Sequence, residues 1–227
     1  GLPTAFAATL LAVLLTVIAA AIGDRSFLGY YPAKWWARII CWCSLVRVTV
    51  KGRENIDRKQ GYMFVANHQG AYDIFAVYGW LGHNFRWMMK QSLRKIPLIG
   101  YACARIGHIM VDNHSPAAVR RTIDTARATL RDGMSIVIFP EGARTFTGKV
   151  GPFKKGAYQL ALEFGLPIVP ITIDGAFKVM PRTTLIPRPG HIKLTIHKPI
   201  PAPHSDDDRT EAMQLTRDTI ISALPYA

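Results

Sequence analysis

From Leu2 to Ile22 the chain is almost wholly apolar, and its first charges are Asp24 and Arg25. A run of that length can cross a bilayer as a helix. The next stretch, Phe27 to Val46, is different. It carries Tyr30, Tyr31, Trp35, Trp36 and Trp42 beside Lys34 and Arg38. Amphipathic aromatics interleaved with cations favour a membrane–water interface. The two stretches predict a pair of membrane-embedded helices over residues 1–46. Residues 47–227 then form a second unit.

In that second unit the apolar runs shorten. Arg47–Lys51, Tyr62–Ala66, Phe85–Met89, His108–Val111, Ser135–Phe139, Ile168–Ile173 and Ile192–Ile196 read as seven strands. In the last, Ile192, Leu194 and Ile196 alternate with Lys193 and Thr195, so one face meets solvent. Helical patterns separate the strands. Ser115-Pro116 makes an N-cap and first-turn pair, and Val119, Ile123, Ala126 and Leu130 follow as an apolar stripe. Ser205 before three aspartates opens the last helix. Alternating strands and helices predict an α/β fold with a largely parallel seven-strand sheet covered by helices. In such sheets ligands bind beyond the carboxyl ends of the strands. Asn67-His68, Lys90, Asp112-Asn113-His114 and Glu141-Gly142-Ala143-Arg144 each follow a predicted strand directly. If those strands are parallel, the four clusters share one rim.

Charge narrows the choice of partner. The 227 residues include 28 Lys plus Arg against 15 Asp plus Glu, a net charge of +13. Such an excess attracts nucleic acid, acidic lipid headgroups or phosphorylated substrates. No zinc-finger spacing or RNA-recognition strand is present, so no nucleic acid is expected and anionic lipid is the better partner. The three cysteines, Cys41, Cys43 and Cys103, form no disulfide framework.

Two of the rim clusters carry the chemistry. His68 and Asp73 flank a strand-to-helix turn, a spacing that can fold the carboxylate back onto the imidazole. A carboxylate on one ring nitrogen fixes the tautomer, and the other nitrogen can take a proton from a hydroxyl. With no G-x-S-x-G in the chain, the hydroxyl comes from the substrate. In Phe139-Pro140-Glu141-Gly142-Ala143-Arg144-Thr145, Gly142 lets backbone approach an anion and Arg144 offers a planar fork for phosphate. Glu141 could hold that fork or bond an acceptor hydroxyl. Gly142 to Gly148-Lys149 is not a P-loop: Val150 stands where the magnesium-binding Ser or Thr is needed. A metal site built from His68, Asp73, His108, Asp112 and His114 is a rival reading, but it lacks the usual ligand spacings, and no metal or cofactor is expected.

Together, Asn67-His68-x4-Asp73 and Phe139-Pro140-Glu141-Gly142-Ala143-Arg144 resemble the glycerolipid acyltransferases, most closely the bacterial 1-acylglycerol-3-phosphate acyltransferases. The resemblance runs from about Lys51 to Ile200 and includes Lys90, Gly107-x2-Met110-Val111-Asp112 and Val169-Pro170-Ile171. It implies a membrane enzyme at the cytoplasmic face of the bacterial inner membrane, with its N-terminal helices as a hairpin in one leaflet. That enzyme would move an acyl group from acyl-carrier protein or acyl-CoA to the sn-2 hydroxyl of 1-acylglycerol 3-phosphate, giving phosphatidic acid. In the implied roles His68 is the base, Asp73 orients it and Lys90 serves the oxyanion. Glu141, Gly142, Arg144, Asn113 and Lys154 meet the acceptor. The chain departs from the family at Ala143, where Thr is usual, and at Asn113, where an acceptor-binding Arg is common. Rival readings are an acyltransferase for another lysolipid, such as a lyso-ornithine lipid, and a basic membrane-binding protein without catalysis.

Overall fold

The computed structural model describes residues 30–96, 99–112, 114–130 and 134–226, with Thr9, Leu11, Ala12 and Leu14. The elements in chain order are α1 (Tyr31–Cys43), β1 (Val46–Lys51), β2 (Met63–Ala66), α2 (Tyr72–Trp80), β3 (Phe85–Lys90), α3 (Ile99–Ile106) and β4 (Ile109–Val111). There follow α4 (Pro116–Thr129), β5 (Ser135–Ile138), α5 (Gln159–Phe164), β6 (Ile168–Asp174), α6 (Ala176–Val179), β7 (Gly190–Ile196) and α7 (Asp206–Ser222). All seven expected strands form, each within about two residues of its expected ends.

The strands make one sheet in the order β1-β7-β6-β2-β5-β3-β4. From β6 to β4 every pair is parallel. The expectation of a largely parallel sheet is nevertheless wrong, because the sheet is mixed. β7 runs antiparallel to β6, and β1 pairs parallel to β7, so both oppose the rest. The cause is local. The chain leaves β6, forms the four-residue helix α6 and returns alongside, without the long crossover that a parallel neighbour needs. The alternation in β7 marks it: Ile192, Leu194 and Ile196 are buried while Lys193 is exposed. One-sided strands suit antiparallel pairing.

Cores fill both faces of the sheet. Phe64, Ala66, Val137, Ile171, Ile173 and Leu194 pack with Ala37, Cys41, Ala76 and Val77 of α1 and α2. On the other face Met63, Val65, Ile136, Ile138 and Ile168 meet Ala126, Leu160, Ala212 and Ile220 of α4, α5 and α7. The expected caps are present: Ser115 Oγ accepts the Ala118 N–H at 3.2 Å, and Ser205 Oγ accepts the Asp208 N–H at 3.1 Å. Along α4 the stripe holds for Ala126 and Ile123, whereas Val119 is exposed.

The expected membrane helix pair also needs correction. Among the described residues no helix is long and apolar enough to cross a membrane. α1 has 13 residues, about 20 Å of helix, and carries Lys34 and Arg38. Of the first expected segment only Thr9, Leu11, Ala12 and Leu14 are described. The rest of Leu2–Ile22 lies outside the described residues.

Candidate active site

The parallel half of the sheet delivers His68, Lys90, Asp112 and Pro140–Arg144 to one rim, the carboxyl ends of β2, β3, β4 and β5. His68 follows β2, and α2 begins four residues later, so the chain reverses tightly. Gly70 is at the bend, where a Cβ would stand 2.5 Å from the Met180 carbonyl and 2.8 Å from that of Ala176. Only glycine admits such an approach. The reversal brings Asp73, fully buried in the first turn of α2, to His68: Nδ1 lies 2.7 Å from Oδ2. The same Oδ2 accepts the Gly70 N–H at 2.8 Å. A carboxylate offers only acceptors, so Nδ1 carries the proton and Nε2 keeps its lone pair. The imidazole lies flat on Phe139, with centroids 3.9 Å apart and planes 8° apart, and Phe139 stacks on Trp87 at 5.2 Å. The His68 side chain remains 14% accessible, enough for a substrate atom to reach it.

Three hydrogen bonds stitch the two motifs together. The His68 N–H donates to Glu141 Oε1 at 2.8 Å, the Gly151 N–H donates to Glu141 Oε2 at 2.8 Å, and the Thr145 N–H donates to the His68 carbonyl at 2.9 Å. Both Glu141 oxygens are therefore engaged by backbone amides. The side chain braces His68 against the loop that runs from Pro140 to Gly151. Burial pushes its carboxyl up, and the two amides offset part of that shift. Hydrogen bonds to a charged group contribute about 1.5–3 kcal/mol each, so the brace is a firm one. Asn67 is a second strut. Its buried side chain donates to the Ile173 carbonyl at 2.9 Å and accepts the Ile173 N–H at 2.8 Å, prolonging the β2–β6 pairing up to His68.

Gly142 has φ +74°, and a Cβ there would stand 2.8 Å from Lys154 Nζ. The Lys154 ammonium thus lies over the loop. Arg144 is partly exposed on the same loop, and no carboxylate pairs with it among the described residues. Lys90 ends β3 at the strand level of Asn67 and Pro140, and its side chain is exposed. Strand alternation sends it out with Met88, whereas Trp87 lies on the other face. Asn113 lies outside the described residues. The metal cluster does not assemble. His108 is buried in the core, where Nδ1 accepts the Trp87 N–H at 3.2 Å and Nε2 meets Tyr78 Oη at 2.8 Å. Burial and then Arg86 lower its pKa to about 3. Asp112 pairs with His114 at 2.6 Å. Among the described residues no three His, Cys, Asp or Glu side chains converge.

An oriented, accessible imidazole beside a cationic loop is the geometry of a general-base site for a phosphorylated or otherwise anionic substrate. The chain belongs to the Acyltransferase family, whose model matches residues 47–174. A chloroplastic 1-acyl-sn-glycerol-3-phosphate acyltransferase of Brassica napus is 33% identical over 173 residues, covering 75% of this chain and 50% of its own length. One from Pseudomonas aeruginosa is 30% identical over 183 residues, covering 78% of this chain and 69% of itself. The chain thus spans about half the length of the plant relative. The crystal structure of the 1-acyl-sn-glycerophosphate acyltransferase PlsC from Thermotoga maritima superposes with a TM-score of 0.68 at 25% identity, covering 94% of this chain and 95% of that one.

Proposed function

We propose that the protein transfers an acyl group from acyl-carrier protein or acyl-CoA to the sn-2 hydroxyl of 1-acylglycerol 3-phosphate, giving phosphatidic acid. The observation that carries this reading is the His68–Asp73 pair tied by Glu141 to the loop bearing Arg144. The names of the relatives support it. His68 Nε2 takes the hydroxyl proton as the oxygen attacks the thioester carbon. The tetrahedral oxyanion collapses, the C–S bond breaks and the thiolate takes up a proton. The oxyanion needs donors. The Gly70 N–H is committed to Asp73, and Lys90, the residue that the resemblance implies for the oxyanion, ends β3 on the sheet face away from the His68–Phe139–Trp87 stack, so that role requires its long side chain to fold over the rim. Arg144, with Lys154 over Gly142, holds the acceptor phosphate and turns a collision into a positioned encounter.

The test is thioester consumption by purified protein against a panel of lysolipids, repeated with Arg144→Lys. Lysophosphatidate should be the preferred acceptor. Lysine keeps the charge but loses the fork, so the acceptor KM should rise about tenfold while the donor KM changes little. An unchanged acceptor KM would place the phosphate elsewhere, and no turnover with any lysolipid would end the reading.

We further propose that this rim works against a membrane surface, at the cytoplasmic face of the inner membrane of a bacterial cell. Leu185 and Ile186 are 87% and 75% exposed in the loop between α6 and β7, on the rim that carries His68. Phe146 stands exposed under Arg182, whose guanidinium lies 4.4 Å from the ring centroid. Apolar tips among arginines suit an anionic interface. Leu185→Ser/Ile186→Ser should weaken binding to anionic vesicles about tenfold or more and leave turnover of a detergent-dispersed acceptor intact. Unchanged vesicle binding would remove the loop from the interface.

A further inference from the structure

At the opposite end of the sheet from His68, where α2 ends and β3 begins, there is a cavity of about 420 Å³. It is lined by Lys34 and Arg38 of α1, by Arg53 and Arg58 after β1, and by Tyr30, Tyr31 and Trp80. Among the described residues no Asp or Glu lines it. The helix end accounts for part of this charge. Arg38 Nε donates to the Gly79 carbonyl at 3.0 Å and Arg53 Nη2 to the Trp80 carbonyl at 2.6 Å, satisfying the last turn of α2. Those two bonds use one N–H of each guanidinium and leave the others directed elsewhere. The side chains of Lys34 and Arg58 make no hydrogen bond or ion pair among the described residues. Lys34 Nζ instead lies 5.6 Å from the Tyr31 ring centroid and 5.9 Å from that of Tyr30. Burial lowers the Lys34 pKa, and the nearby Arg38, Arg53 and Arg58 lower it further. Four like charges gathered round an open cavity repel one another, and an anion placed among them relieves that repulsion.

We propose that this cavity is a second anion site that takes the phosphate of an anionic phospholipid headgroup, one with no cation of its own to neutralise it, separate from the reacting centre. Forked guanidiniums suit phosphate oxygens. The lipid source is favoured by α1. Tyr31, Trp35 and Trp42 are exposed along one side of this helix, and Leu45 continues that side beyond it. That stripe starts at the cavity and ends at Leu45, whose carbonyl accepts the Gly190 N–H at the rim carrying His68. With α1 lying in the interface, cavity and rim both stand at headgroup level.

The test uses the whole chain and phosphatidylcholine vesicles with and without phosphatidylglycerol, a phosphodiester lipid that is neither the proposed acceptor nor the proposed product. Lys34→Gln/Arg58→Gln should weaken binding to the phosphatidylglycerol vesicles about tenfold or more. Arg120→Gln/Lys155→Gln removes the same charge from the other face of the sheet and should cost markedly less. Binding to pure phosphatidylcholine should be the same for all three proteins. Equal losses in the two variants would reduce the cavity to diffuse charge and overturn the site. Inorganic phosphate is the soluble arm. If it raises the melting temperature of the parent but not of Lys34→Gln/Arg58→Gln, the phosphate chemistry is supported. If that occurs while vesicle binding ignores the substitution, the ligand is a soluble phosphate compound and the lipid assignment falls.

Discussion

His68→Ala should lower acyl transfer by about two to four orders of magnitude, the usual worth of a positioned general base. Among the described residues no other group in the site can take over. Lys154 and Arg144 are cations, and both oxygens of Glu141 face backbone amides. Folding should survive. The imidazole lies at the rim, 14% accessible, and its loss removes one face of a ring stack without opening the core beneath Trp87. The measurement is single-turnover thioester cleavage beside a thermal melt. A His68→Ala variant that keeps more than about a tenth of parent turnover would remove His68 from the chemistry.

Asp73→Asn should fall almost as far with even less change in shape. The amide is isosteric with the carboxylate, and its oxygen can still accept the Gly70 N–H that Asp73 Oδ2 accepts at 2.8 Å. That oxygen cannot also serve the imidazole as the carboxylate does. If the amide NH2 turns toward Nδ1 instead, it selects the ring form with its proton on Nε2, which cannot act as the base. The imidazolium formed in the transition state also loses its counter-charge. We expect a drop in kcat of about two to four orders of magnitude with the acceptor KM little changed. A KM effect alone would show that Asp73 only shapes the turn.

Much of this was legible because it is written locally. The strands are short apolar runs closed by polar residues, and the caps at Ser115 and Ser205 are single-residue signals. His68 and Asp73 are neighbours across one turn, so spacing alone brings them together. What escaped depends on contacts between distant segments. The reversed direction of β1 and β7 is set by which strand each one meets, and alternation in β7 was the available hint. The bracing contacts of Glu141 are of this kind, since its partners within the chain, the amides of His68 and Gly151, carry no sequence identity at all. The stack of His68 on Phe139 on Trp87 joins residues just past β2 and β5 to the middle of β3 and leaves no periodic trace.

The reversed edge also sets an order of events during synthesis. In the sheet order β1 has one neighbour, β7, and their register joins Val46 to Gly190, across most of the chain. Pairings so distant in sequence close late, because the loop between them must be ordered first. At translation rates of roughly 5–20 residues per second, β1 leaves the ribosome on the order of ten seconds before its partner exists. Through that interval β1 has no sheet edge to join, while α1, with its outward Trp35 and Trp42, has already emerged. The nascent chain therefore exposes its aromatic helix before the seven-strand sheet is complete. Docking of β1 onto β7 is a late seam, closed only after residues 190–196 have emerged.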